Sequence, residues 1–167
     1  NANQEILLNH MRRGNDEMMM ALNAAGILVY QKPTHDQVLA DIVEPGLRTY
    51  EIIHATDAFS LVKVSTGGIP HGGYTGLRLV YKEGSALGDG TTVSLPLPKE
   101  NFWGNERMPD TITFSEDGKT LVYTRHFDEK FEMSIDVTTP PFTIHEKGTY
   151  TYTVNLETGE VSLEILP

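Results

Sequence analysis

A chain of 167 residues, 39% hydrophobic and 22% charged, is long enough to bury one core and too apolar to remain disordered. Its formal charge of −10 repels phosphate backbones and anionic lipid, which argues against general nucleic-acid binding and against an acidic membrane surface. The lack of cysteine excludes disulfides, thiolate zinc sites and cysteine nucleophiles, and no apolar run reaches the roughly 18 residues of a membrane span.

Leu7, Met11, Met18, Leu22 and Ala25 recur at helical spacing and predict an N-terminal helix over residues 1–26. Gly14 and Asn15 bend or divide it, and Gly26 suits its stop. The Met18–Met20 run is expected to pack on a sheet, the alternative being an adaptable contact surface for a partner or lipid. Thr34 and Gln37 form a Thr-x-x-Gln capping pattern that places His35 in the first turn of a second helix.

From Ile27 onward the period becomes two. Phe131, Met133, Ile135 and Val137 alternate with polar residues, and so do Tyr150, Tyr152, Val154 and Leu156. Half-buried antiparallel strands read this way, one face in the core and the other in water. Turns at Pro45-Gly46, Glu83-Gly84, Asp117-Gly118 and Thr158-Gly159 divide the remainder into about nine or ten strands.

The two halves also resemble each other. Asp57–Ser65 (DAFSLVKVS) aligns with Asp117–Arg125 (DGKTLVYTR), and GGYTGLRLVYKEG followed by TTVSLPLP aligns with KGTYTYTVNLETG followed by EVSLEILP. Two similar units follow, over 47–98 and 109–167, each of two successive hairpins. The expected fold is a single mainly β domain spanning 1–167: an antiparallel sandwich, barrel or half-barrel of about 8–10 strands built from two four-stranded units, with an N-terminal α-helix.

Two local resemblances add to this. TITFSEDGKTLVYTRH (Thr111–His126) resembles a hairpin of the TolB-type β-propeller blades, with Glu116 where those have proline, and implies a hairpin. A helix ending in ILVYQ (Ile27–Gln31), followed by PGLRTYEI (Pro45–Ile52), resembles the opening of the periplasmic lipoprotein-carrier group. That resemblance implies a curved sheet sheltering acyl chains, although the second half offers no helices to plug it.

No nucleophile elbow, phosphate loop, dinucleotide fingerprint or zinc helix is present, so no catalytic residue, cofactor or metal site is assigned. His126 and Asp128 share a strand face, and the simpler reading is a surface charge pair rather than two metal ligands. His10, His35, His54 and His145 are scattered.

Two loops stand out. The glycine-rich segment around 67–76 carries His71 and Tyr74, which could supply polar and stacking contacts where the backbone approaches a ligand, the plainer reading being a flexible hairpin tip. The linker around 101–108 carries Phe102, the sole tryptophan Trp103, Asn105 and Arg107, an aromatic platform beside hydrogen-bonding groups. The alternative is that Phe102 and Trp103 cap the core between the units.

These readings favour a non-enzymatic binding module that engages a protein or glycan through loops and strand edges. Its composition, rich in Thr, Tyr and Gly, points to an extracellular, cell-surface or periplasmic setting, and the chain opens without an initiator Met, as a processed or trimmed form does. The alternatives are a carrier of an apolar ligand in a curved-sheet cavity and a hydrolase with an unrecognised carboxylate or Ser-His site.

Overall fold

The computed structural model describes residues 20, 24–26, 31–67 and 73–167, of which His35–Pro167 form one compact unit. Most of the helix expected over 1–26 lies outside the described residues, as does His71. Among the described residues no helix is long and apolar enough to cross a membrane.

The second predicted helix forms as α1, His35–Ile42, directly after Thr34. Each of its ends finds a side-chain partner outside the helix. The His35 N–H donates to the Asp89 carboxylate at 2.8 Å, and Arg48 Nε donates to the Ile42 carbonyl at 2.8 Å.

Among the described residues ten strands follow, in two four-stranded antiparallel sheets and one extra hairpin. The first sheet is a meander in the order β1 (Arg48–Ala55), β2 (Phe59–Thr66), β3 (Tyr74–Tyr81), β4 (Thr92–Leu95). The second has β5 (Thr111–Phe114), β6 (Thr120–Phe127), β9 (Gly148–Asn155) and β10 (Val161–Leu166) in the order β10-β9-β6-β5. Between β6 and β9 the chain leaves the sheet to form the hairpin β7 (Phe131–Met133) and β8 (Phe142–His145). Each sheet is thus the same four-step meander, and the aligned segments fall on β2 and β6, on β3 and β9, and on β4 and β10.

The two sheets face each other as a sandwich. Phe59, Leu61, Leu77, Leu79, Tyr81 and Leu95 of the first pack with Leu121, Tyr123, Phe127, Tyr150, Tyr152 and Val154 of the second in one buried cluster. Leu61, Leu79, Leu121, Tyr123 and Val154 are fully enclosed, each stabilising the fold by roughly 1.5–3 kcal/mol. Two tyrosine hydroxyls tie the layers together: Tyr81 donates to the Leu156 carbonyl and Tyr123 to the Pro96 carbonyl, both at 2.7 Å. On the outer face of the first sheet, Leu39 and Ile42 of α1 cover Val62, Val64 and Val80. The layer order is therefore helix, sheet, sheet.

Four glycines at the predicted turns, Gly46, Gly84, Gly118 and Gly159, all have positive φ. One expected strand fails. The alternation from Phe131 to Val137 yields only Phe131–Met133, after which Ile135 is 71% exposed and Val137 is wholly so. Asp136 ends the strand by accepting the N–H groups of Thr138 and Thr139 at 2.8 Å, and Pro140 and Pro141 follow. Among the described residues no second sheet covers this hairpin, and Ile135 and Val137 stay outside the core.

Candidate functional site

The linker between the two sheets is shaped by Asn101. Its Oδ1 accepts the N–H of Trp103 at 3.0 Å and of Asn105 at 3.3 Å, while its carbonyl accepts the N–H of Gly104 at 3.1 Å. Gly104 takes φ +77, a conformation open to glycine at little cost. Glu100 N–H then closes the loop on the Asn105 carbonyl at 2.8 Å.

The outcome is that Phe102 and Trp103 point outward, 44% and 49% exposed, and do not cap the core. Their rings meet edge to face at 4.9 Å, and Phe102 leans on Phe142 of β8 at 6.1 Å. Asn101, Phe102 and Trp103 on one side and Phe131, Met133, Ser134 and Ile135 on the other line an open, predominantly apolar groove of about 410 Å3.

The other expected residues are placed as follows. Tyr74, at the start of β3, donates its hydroxyl to the Trp103 carbonyl at 3.4 Å, which brings the end of the glycine-rich segment to the linker. Asn105 is half-buried in the loop turn, and Arg107 is exposed with its Nε 3.7 Å from Glu100. Neither Asn105 nor Arg107 lines the groove. Phe131, Met133 and Ile135 were not expected there, because their alternation suggested a core strand.

An ion-pair cluster holds the linker to the second sheet. Arg125, 8% exposed, donates from Nε and a terminal nitrogen to both oxygens of Glu100 at 2.8 and 3.2 Å. Its other terminal nitrogen reaches the His126 carbonyl at 2.6 Å and Asp110 at 3.4 Å, and the guanidinium lies 4.5 Å from the Phe127 ring centre. Desolvation works against the Arg125 charge, but Glu100 and Asp110 outweigh it and raise its pKa. The His126 N–H, above all, holds the Asp110 carboxyl below its ordinary range.

Other titratable groups find structural partners. His126 bonds Thr149 and Asp128 at 2.8 and 3.1 Å. His35 bonds Ser60 and Asp36, His54 stacks on Phe114, and His145 stacks on Phe127. Burial raises the Glu106 pKa, which Lys99 partly offsets. Glu106 in turn adds to the upward shifts of the stacked pair Tyr123 and Tyr152, shifts that burial dominates. Among the described residues no three His, Asp or Glu side chains are grouped to hold a metal ion. No family model, curated protein or solved structure matches this chain.

Proposed function

We propose that this chain is a non-enzymatic binding module whose ligand lies in the groove between the linker and β7. The observation that carries the reading is the half-exposed Phe102–Trp103 pair facing Phe131, Met133 and Ile135 across open space. Exposed aromatic pairs held on an ordered loop lose little side-chain entropy on binding and offer large apolar area. Because, among the described residues, the lining is predominantly apolar, with Asn101, Ser134 and the Trp103 indole N–H as its polar groups, apolar side chains of a protein partner suit it better than a glycan, which needs many directional partners.

The carrier reading draws on the same groove, since an acyl chain is also apolar. The space between the sheets is occupied by the core, so a ligand would lie on the outside of the sandwich.

Trp103 is the sole tryptophan and reports directly. Peptides selected by display against the immobilised chain are titrated while its emission is followed, and soluble glycans and fatty acids are titrated in parallel. Saturable peptide binding that weakens about tenfold or more in Trp103→Ala, with unchanged melting temperature, supports the module. A saturable response to glycan or fatty acid alone redirects the assignment accordingly, and silence with every class refutes the groove as a site.

A further inference from the structure

Among the described residues the two four-stranded sheets have four edge strands, and three of them carry features that discourage pairing with another chain. β1 is broken by a bulge at Ile53. β4 is four residues long and runs into Pro96 and Pro98, and β5 is four residues long and enters from Pro109. β10 is different. It pairs with β9 in unbroken register from Val161 to Leu166, with no proline, lysine or bulge along its length. Leu163 and Ile165 lie opposite the core tyrosines Tyr152 and Tyr150, yet remain 49% and 41% exposed.

The direction of its free backbone groups follows from the ladder. Asn155 N–H donates to the Glu160 carbonyl at 2.8 Å, so Glu160, Ser162, Glu164 and Leu166 point their N–H and C=O groups toward β9. Val161, Leu163 and Ile165 point theirs outward, and their side chains share the core-facing side of the sheet.

We propose that this edge pairs with β10 of a second copy, antiparallel about a two-fold axis through Leu163. In that register Leu163 faces Leu163 of the other copy, and Val161 faces Ile165. The pairs unite the outward-pointing backbone groups and form a continuous apolar row. On the outer face Ser162 meets the Glu164 carboxylate, a hydroxyl donor against an acceptor. The neighbouring symmetric register, centred on Glu164, sets two carboxylates against each other and is disfavoured. The palindromic order Val-x-Leu-x-Ile is what makes a second copy the fitting occupant. The interface is one strand wide, so the dimer is concentration-dependent and, between two chains of charge −10, strengthened by salt.

The test is sedimentation equilibrium of the full chain from micromolar to millimolar concentration at low and moderate salt. The mass should double with rising concentration, and at lower concentration when salt is added. Leu163→Pro removes an N–H that points away from β9, so it should abolish the dimer and leave the melting transition in place. In case proline unfolds the strand, Leu163→Cys supplies a second readout: the only thiol in the chain should oxidise to a covalent dimer, since facing Cα atoms in such a pair lie about 5.5 Å apart. A chain that stays monomeric throughout overturns the proposal. So does a dimer that Leu163→Pro leaves intact in a folded chain.

Discussion

Replacing Arg125 by Met tests whether the linker owes its position to the buried ion pair. The substitution keeps an unbranched, apolar side chain and removes both bonds to Glu100, the bond to the His126 carbonyl, the contact with Asp110 and the guanidinium over the Phe127 ring. Breaking a fully buried pair costs about 3–5 kcal/mol, because the surviving charge is stranded. Glu100 retains 19% exposure of its side chain and has Arg107 at 3.7 Å, so the expected loss is nearer 2–3 kcal/mol. For a chain of this size that lowers the melting temperature by about 5–10 °C. Glu100→Gln in the same chain removes the stranded charge, so the double variant should be more stable than Arg125→Met alone. Trp103 lies three residues from Glu100, and its emission should shift as the linker loosens. Calorimetry and fluorescence on the single and double variants give both readouts. If Arg125→Met melts with the parent and Trp103 emission is unmoved, the ion pair does not position the linker.

Gly148 opens β9 at φ +127, and a Cβ there would run into the Leu166 carbonyl of β10. Gly148→Ala should cost at least about 2 kcal/mol, while Gly118→Ala, at φ +73 in open space, should cost only about 1 kcal/mol. Urea titration of both compares them, and equal losses would contradict the crowding. The pH dependence has two opposed contributions. The folded-state pKa of Asp110 lies below its unfolded value, so its contribution is fully present above the ordinary aspartate value of 3.8 and is lost as pH falls through the folded value. The Glu106 pKa is raised instead, so the folded state binds that proton more tightly and gains stability as pH falls through the raised value. Melts from pH 7 to pH 3 should show a shallower acid loss in Asp110→Asn and a gain at neutral pH in Glu106→Gln. The reverse signs would refute the assignment.

The scaffold was legible because its signals are local and repeated. Tyr150, Tyr152, Val154 and Leu156 alternate with threonines and asparagine, and all four are buried as that pattern requires. Glycine at four turns takes the positive φ that the dipeptides suggested. Thr34 and Gln37 marked α1 correctly, but the partner at its N-terminus, Asp89, lies 54 residues away and leaves no trace in the local pattern. The same alternation misled at Phe131–Val137. Periodicity reports which side chains share a face, but whether anything covers that face is a tertiary fact.

The sequence marked the Phe102–Trp103 wall of the groove, and the opposite wall escaped it for a related reason. The offset between the two copies is 60 at Asp57 and Asp117 but 75 at Gly84 and Gly159, which marks extra chain in the second copy between its second and third strands. In the first copy that connection is short, running from Thr66 to Tyr74; in the second it runs from Phe127 to Gly148 and contains β7 and β8. The groove is walled by this insertion and by the linker around Trp103, the two segments that the copies do not share. Self-comparison therefore recovers the common meander and passes over the surface that differs. The core-facing residues of the central duplicated strands, Leu61, Leu79, Leu121, Tyr123 and Val154 among them, are explained by the opposite sheet. Phe131, Met133 and Ile135 stand in the insertion with, among the described residues, no sheet across from them, and a ligand on that side would bury them together with Trp103.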